Sequence, residues 1–152
     1  MISEGTGAEI EIRMQYLKDL SFESPNTPAI FAGGGPKPKI DISIDLNATK
    51  LRSDTFESVI IVNVMAKGND EVVFIAKVSY AGIFVIKNVE KSLIQDVLFV
   101  DCSTLLFPFV RRILIDIVAE SNFPAIVLQP VDFTELYRAK KDSIVEGKRD
   151  DK

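Results

Sequence analysis

The first half of the chain is a succession of period-two segments with no helical pattern between them, and that succession constrains the fold more than any other feature. Ile10, Ile12, Met14 and Tyr16 alternate with Glu9, Glu11, Arg13 and Gln15, which predicts a half-buried strand over 9–16. Alternation returns over 39–46, where Ile40, Ile42, Ile44 and Leu46 oppose Asp41, Ser43 and Asp45. The runs 56–66 and 71–80 are rich in β-branched residues. Lys67-Gly68-Asn69-Asp70 separates them, so a hairpin is expected. Four strands in sequence, without a helix between them, favour an antiparallel sheet over a parallel βαβ layer. From Leu17 to Lys39 the alternation gives way to Pro25, Pro28, Gly33-Gly34-Gly35, Pro36 and Pro38, which predicts a long connection. Its apolar members, Phe22, Ile30 and Phe31, imply that it is packed down.

Gly82 and the run Ile83-Phe84-Val85-Ile86 are expected to lead out of the sheet, after which the period changes to about 3.6. Leu93, Ile94, Val97, Leu98 and Phe99 predict a helix over 90–101. Ser103 or Thr104 is then expected to cap a second helix to about 121, with Pro108 tolerated only near its first turn. Phe123-Pro124 ends that helix, 125–131 reads as extended, and Asp132 caps a last helix through about Lys141 with Glu135 at the capping-box position. The expected organisation is a flexible N-terminus over 1–8, one domain over 9–141 and a flexible charged tail over 142–152. The fold class is α+β, a four-stranded antiparallel sheet with helices packed on one face.

The 152 residues are 47% hydrophobic and 26% charged, the balance of one folded domain. A formal charge of −4 argues against nucleic acid or an anionic membrane as partner. No unbroken run reaches the roughly 18 apolar residues of a membrane span. The start resembles no secretory signal, and the single cysteine, Cys102, fits a reducing compartment. A cytoplasmic location is expected.

Histidine is absent, which removes a required member from Ser-His-Asp and Cys-His catalysis and from the usual zinc sites. Cys102 reads as a buried small apolar residue. Gly33-Gly34-Gly35 runs into Pro36-Lys37-Pro38 and so cannot open a helix onto a phosphate. Asp41 and Asp45 alternate with isoleucine and read as a solvated strand face. No enzyme activity, cofactor or metal is expected.

Ten Phe and three Tyr without a single Trp are the remaining signal. Several lie beside loops or helix ends, and the strands at 59–65 and 72–78 are apolar on both faces. One helical layer covers only one face of a sheet, so the other needs a partner: self-association or a peptide groove. The residues leave two readings, a module that binds polypeptides and a structural or assembly protein whose second apolar face serves only self-association.

Lys18-Asp19-Leu20-Ser21-Phe22-Glu23-Ser24-Pro25-Asn26 resembles the motif after the first strand of the SecB protein-export chaperones. Gly82-Ile83-Phe84, Leu105-Leu106-Phe107-Pro108-Phe109, Phe123-Pro124 and Leu128-Gln129-Pro130-Val131-Asp132-Phe133 follow in the family's order, so the resemblance covers about 9–140. It implies a dimer of dimers. It also implies an ATP-independent chaperone that keeps unfolded precursor proteins translocation-competent in the cytoplasm and passes them to the SecA motor. By the same resemblance Asp19, Glu23 and Ile75 contact the motor, and Phe31, Phe84, Phe107, Phe109 and Tyr137 line or border the client groove. Three places depart from the family. Lys77 stands where it has an acid, Ala32-Gly33-Gly34-Gly35 where it often has a large aromatic, and the mixed-charge tail where it is strongly acidic.

Overall fold

The computed structural model describes residues 7–34 and 37–150, the side chains of 142–150 excepted. Four strands form one antiparallel sheet: β1 (Glu9–Glu23), β2 (Lys39–Arg52), β3 (Thr55–Gly68) and β4 (Glu71–Lys87), in the spatial order β1-β4-β3-β2. β3 and β4 form the expected hairpin. Asn69 and Asp70, at φ 53° and 64°, are the two left-handed central residues of a type I′ turn, whose twist matches that of the strands.

β1 does not end at Tyr16 but continues through Asp19 and Glu23. Its register on β4 shifts between Ile12 and Met14 and again between Leu17 and Asp19. Each bulge adds a residue and breaks the period-two pattern without ending the strand. β4 likewise keeps Gly82 to Ile86, which were expected to leave the sheet, because all five pair with β1 and Gly82 to Val85 pair with β3 as well. A Cβ on Gly82 would sit 2.7 Å from the Phe84 ring and 3.1 Å from Leu106. The glycine is there for close packing, not for an exit.

The helical part is more continuous than the sequence suggests. A 3-10 turn (Lys91–Leu93), α1 (Ile94–Asp96), a π-helical segment (Val97–Cys102) and α2 (Ser103–Glu120) follow one another without a capping break. Thr104 is no cap; its hydroxyl donates to the Val100 carbonyl one turn back at 2.6 Å. Pro108 lies inside α2, where its missing N–H spares only the carbonyl of Thr104. The stretch Lys91–Glu120 has, by length and composition alone, the apolarity of a membrane-crossing helix. In this structure the face bearing Leu106, Val110, Leu114 and Val118 is fully buried against the sheet. Asn122, at φ 64°, turns the chain out of α2. Residues 123–132 form no regular element and lead into α3 (Phe133–Asp150). The Asp132 carboxylate accepts from the amides of Thr134 and Glu135 at 3.0 and 3.2 Å, the predicted cap. α3 runs past the expected end near Lys141 to Asp150. Residues 1–6 of the expected N-terminal segment lie outside the described residues.

The core lies between the helices and the even-numbered residues of the inner strands: Phe56, Ile60, Val62 and Val64 of β3, and Phe74, Ala76, Val78 and Phe84 of β4. α2 crosses β4 and β3 and leaves β1 largely uncovered.

Candidate functional site

One candidate surface is the helix-free face of the sheet. Register places Asp19 opposite Ser79, Ser21 opposite Lys77 and Glu23 opposite Ile75. Asp19, Glu23 and Lys77 are exposed and Ile75 is half-buried. Asp19, Glu23 and Ile75, the three residues singled out by the family resemblance, thus share one patch of this face. Across β3 the patch continues through Asn63 and Met65, which oppose Lys77 and Ile75. The bulge between Leu17 and Asp19 matters here. By adding a residue it puts Asp19 on the same face as Tyr16 instead of the opposite one.

Along the same face the Tyr16 hydroxyl donates to Glu57, and Lys18 Nζ donates to both Glu57 carboxylate oxygens at 2.8 and 3.0 Å. Glu57 is on β3, so these bonds tie β1 to β3 across the intervening β4. The hydrogen bond from Lys18, helped by that from Tyr16, holds the Glu57 carboxyl below the usual range. Burial, with the Glu57 charge beside it, pushes the Tyr16 phenol up to about 12. Beneath this clamp Ala81 and Val59 are buried although no helix covers them. The sequence analysis missed the clamp, because partners 41 and 39 residues apart leave no local signal.

The second candidate surface is an apolar groove of about 330 Å³ on the helical side, between the outer strand and the chain after α2. Ile42 and Ile44 of β2 form one wall, Val127 to Val131 the other, and Val62 and Phe107 the floor. Phe107 is held edge-on against Phe133 with ring centres 5.7 Å apart. Ile42 is 40% and Val127 76% exposed, so both walls present apolar atoms to water.

The five aromatic residues assigned to a client groove do not share one. Phe84 is fully buried in the core, pointing under α2 rather than out of the sheet; it cannot line a groove in this conformation, and that expectation is corrected. Phe107 alone borders the apolar groove. Phe31 stacks on Phe123 at 5.4 Å, in a cluster with Phe22 and Phe74. Tyr137 stacks on Phe99 at 5.1 Å and edges a separate cleft with Asp96, Asp101 and Arg138. Phe109 points outward from α2, 46% exposed, and stacks on Tyr80 at 5.9 Å. Tyr80 pairs with Leu17 of β1. Phe109 therefore belongs to an exposed apolar strip with Ile12, Leu17 and Leu20, which α2 leaves bare. Phe107, Phe109 and Tyr137 lie on helices, and position along a helix does not reveal which way a residue faces until the helix is docked. The residues that do form the groove, Ile42, Ile44 and Val127, carried a signal only in hindsight: isoleucines on a strand with no neighbour on one side.

Cys102 is fully buried, and burial pushes its thiol up to about 12, so it is held as an unreactive thiol. Among the described residues no cluster of three or more acidic, cysteine or histidine side chains could hold a metal ion.

Comparison with known proteins places this architecture. The family described as preprotein translocase subunit SecB matches residues 3–143. A protein-export protein SecB of Maricaulis maris is 45% identical over 132 residues, covering 87% of this chain and 77% of the relative. Those of Zymomonas mobilis and Desulfotalea psychrophila are 42% and 38% identical, covering 85% and 91% of this chain and 78% and 92% of theirs. Among solved structures, a Mycobacterium tuberculosis SecB-like chaperone in complex with an antitoxin peptide superposes with a TM-score of 0.66 at 14% identity, over 80% of this chain and 90% of its own. At that identity the likeness concerns the fold. The motif order, the sheet topology and these matches together establish that the chain belongs to the SecB family.

Proposed function

We propose that this chain is an export chaperone that holds unfolded precursor proteins in its apolar groove and hands them over through the helix-free face of the sheet. The observation that carries the reading is the separation of the two surfaces. The groove of Ile42, Ile44, Phe107 and Val127 lies on the helical side, while Asp19, Glu23 and Ile75 lie on the other, so a client and a second partner can be bound at once. The protein-export names of the relatives support it, as does the peptide bound by the mycobacterial neighbour. The second partner is the SecA translocation ATPase, which Asp19 and Glu23 engage by charge and Ile75 by apolar contact. The assembly is a homotetramer, a dimer of dimers, and the exposed strip of Ile12, Leu17, Leu20 and Phe109 is suited to self-association. The work is done in the cytoplasm and without ATP: binding is passive and release follows from competition by the partner.

Two variants test the division of labour. Val127→Asp replaces an exposed apolar wall with a charge and is expected to weaken capture of an unfolded precursor about tenfold, with thermal stability unchanged. Asp19→Arg with Glu23→Arg is expected to leave capture intact and to weaken SecA binding at least about tenfold in a titration. Unchanged capture in the first, or unchanged SecA affinity in the second, would sink the corresponding half of the proposal. A protein that only assembles predicts an oligomer taking up no client, which native mass spectrometry with an unfolded precursor distinguishes.

A further inference from the structure

The two ends of the helix-free face differ in charge. Asp19 and Glu23 stand at one end, beside Ile75. At the other end, roughly 30 Å away along β4 at about 3.4 Å per residue, a shallow pocket of about 410 Å³ lies over Ile83 and Val85. Its walls are Arg13 and Met14 of β1 with Arg52 and Thr55, the last residue of β2 and the first of β3. Strand irregularities put both arginines there. On β1 the register shift between Ile12 and Met14 makes Arg13 the extra residue, and Met14 takes the place opposite Ile83. On β2 the shift between Lys50 and Arg52 makes Leu51 the extra residue, and Arg52 takes the place opposite Thr55, which in turn opposes Val85. A regular strand would set Leu51 opposite Thr55 and turn Arg52 to the helical side. Bulges re-aim side chains beside functional sites, and here two of them, on strands at opposite edges of the sheet, supply one pocket.

Among the described residues no carboxylate lines this pocket, and Arg52 has no ion-pair partner. Arg13 meets Glu11 through Nε at 3.5 Å, with both side chains more than half exposed. Glu57, the next acid along β3, is already engaged by Tyr16 and Lys18. Resting on the reading of this face as the partner surface, we propose that the pocket of Arg13 and Arg52 is a second contact for the same partner and takes an acidic segment that carries an apolar residue. Guanidinium forks grip carboxylates in a bidentate manner, while Met14, Ile83 and Val85 offer apolar surface to the side chain between the acids. A free inorganic anion satisfies the forks but leaves that surface wet. The two charged ends also fix orientation: basic residues of the partner go to Asp19 and Glu23, acidic ones to the arginines, and a reversed partner sets like charges against each other at both ends. A second copy of this chain, turned round, offers the same charges but occupies the face that the partner needs.

The test is a titration of SecA into the full-length protein, with native mass spectrometry and thermal melting of each variant. Arg13→Glu with Arg52→Glu is expected to weaken SecA binding about tenfold while leaving oligomeric mass and thermal midpoint as they were. Arg13→Lys with Arg52→Lys keeps the charge but loses the fork, and is expected to weaken binding about threefold; wild-type affinity in that variant refutes the bidentate grip. Unchanged SecA affinity in the glutamate variant overturns the inference. If Asp19→Arg with Glu23→Arg still weakens binding, the partner reading itself survives that result. A glutamate variant whose oligomeric mass falls assigns the pocket to contact between copies and overturns the inference too. A labelled nine-residue peptide alternating glutamate and leucine, followed by fluorescence anisotropy, gives a readout that does not depend on SecA. It is expected to bind the wild type about tenfold more tightly than the glutamate variant, and about fivefold more tightly than a peptide with serine in place of leucine. Equal binding to wild type and variant excludes an acidic segment as the occupant, and equal binding of the two peptides excludes the apolar residue between the acids.

Discussion

The two faces of the central sheet are made from the same strands and often from neighbouring residues, yet they do different work. On the helical face of β4, Phe74, Ala76, Val78 and Phe84 are completely buried under α2 and its surroundings. On the opposite face Lys77 is exposed and Ile75 half-buried, while Ser79 and Ala81 are covered only by neighbouring strand side chains. The first face decides whether the chain folds. The second is closed by a polar clamp of Tyr16, Lys18 and Glu57. A face that needs no helix to be stable is available to a partner without any unfolding.

That contrast can be broken most directly at Phe84. Phe84→Ala should cost about 3–5 kcal/mol in chemical denaturation, from lost burial and the cavity left under Leu106. Lys77→Ala on the same strand should stay within about 0.5 kcal/mol. Equal costs would erase the distinction between the faces. Next in size, Asp132→Ala removes the acceptor for two α3 amides and should cost about 1 kcal/mol in the same assay.

Glu57→Gln sharpens the other side of the comparison, with an expected cost below about 1 kcal/mol because Lys18 is solvent-screened. The folded carboxyl titrates below its unfolded value, so its contribution is complete above the unfolded pKa and is lost as pH falls through the folded one. The difference between wild type and Glu57→Gln should therefore be largest near neutrality and shrink below about pH 4. A difference that grows on acidification would exclude the clamp. The smallest effect is expected at Ser103, whose buried hydroxyl has no hydrogen-bond partner among the described residues. Ser103→Ala should be neutral or stabilise by up to about 1 kcal/mol, read from the thermal midpoint.

Much of the fold was legible because it rests on local rules. The alternation in 39–46, the hairpin at Asn69-Asp70 and the Asp132 cap each depend on a few adjacent residues, and each stands where the pattern put it. The grouping of Asp19, Glu23 and Ile75 on one sheet face left no local signal in the sequence. Asp19 lies beyond a bulge that breaks the alternation, and Ile75 is far away in sequence. One of the aromatic residues assigned to the groove was misplaced. Phe84 resembles an exposed aromatic after a glycine, yet Gly82 serves to let α2 approach and Phe84 is sealed beneath it.

By itself the sequence determined the strand-forming segments and the antiparallel order of construction, because periodicity and turn residues act over a few residues at a time. Only the tertiary structure decided which face of each element is buried, that β1 continues through two bulges, and that β2 is left with an open edge beside a groove. Those outcomes depend on the docking of α2 and on pairings between residues tens of positions apart. No local pattern encodes the direction in which a neighbour will arrive.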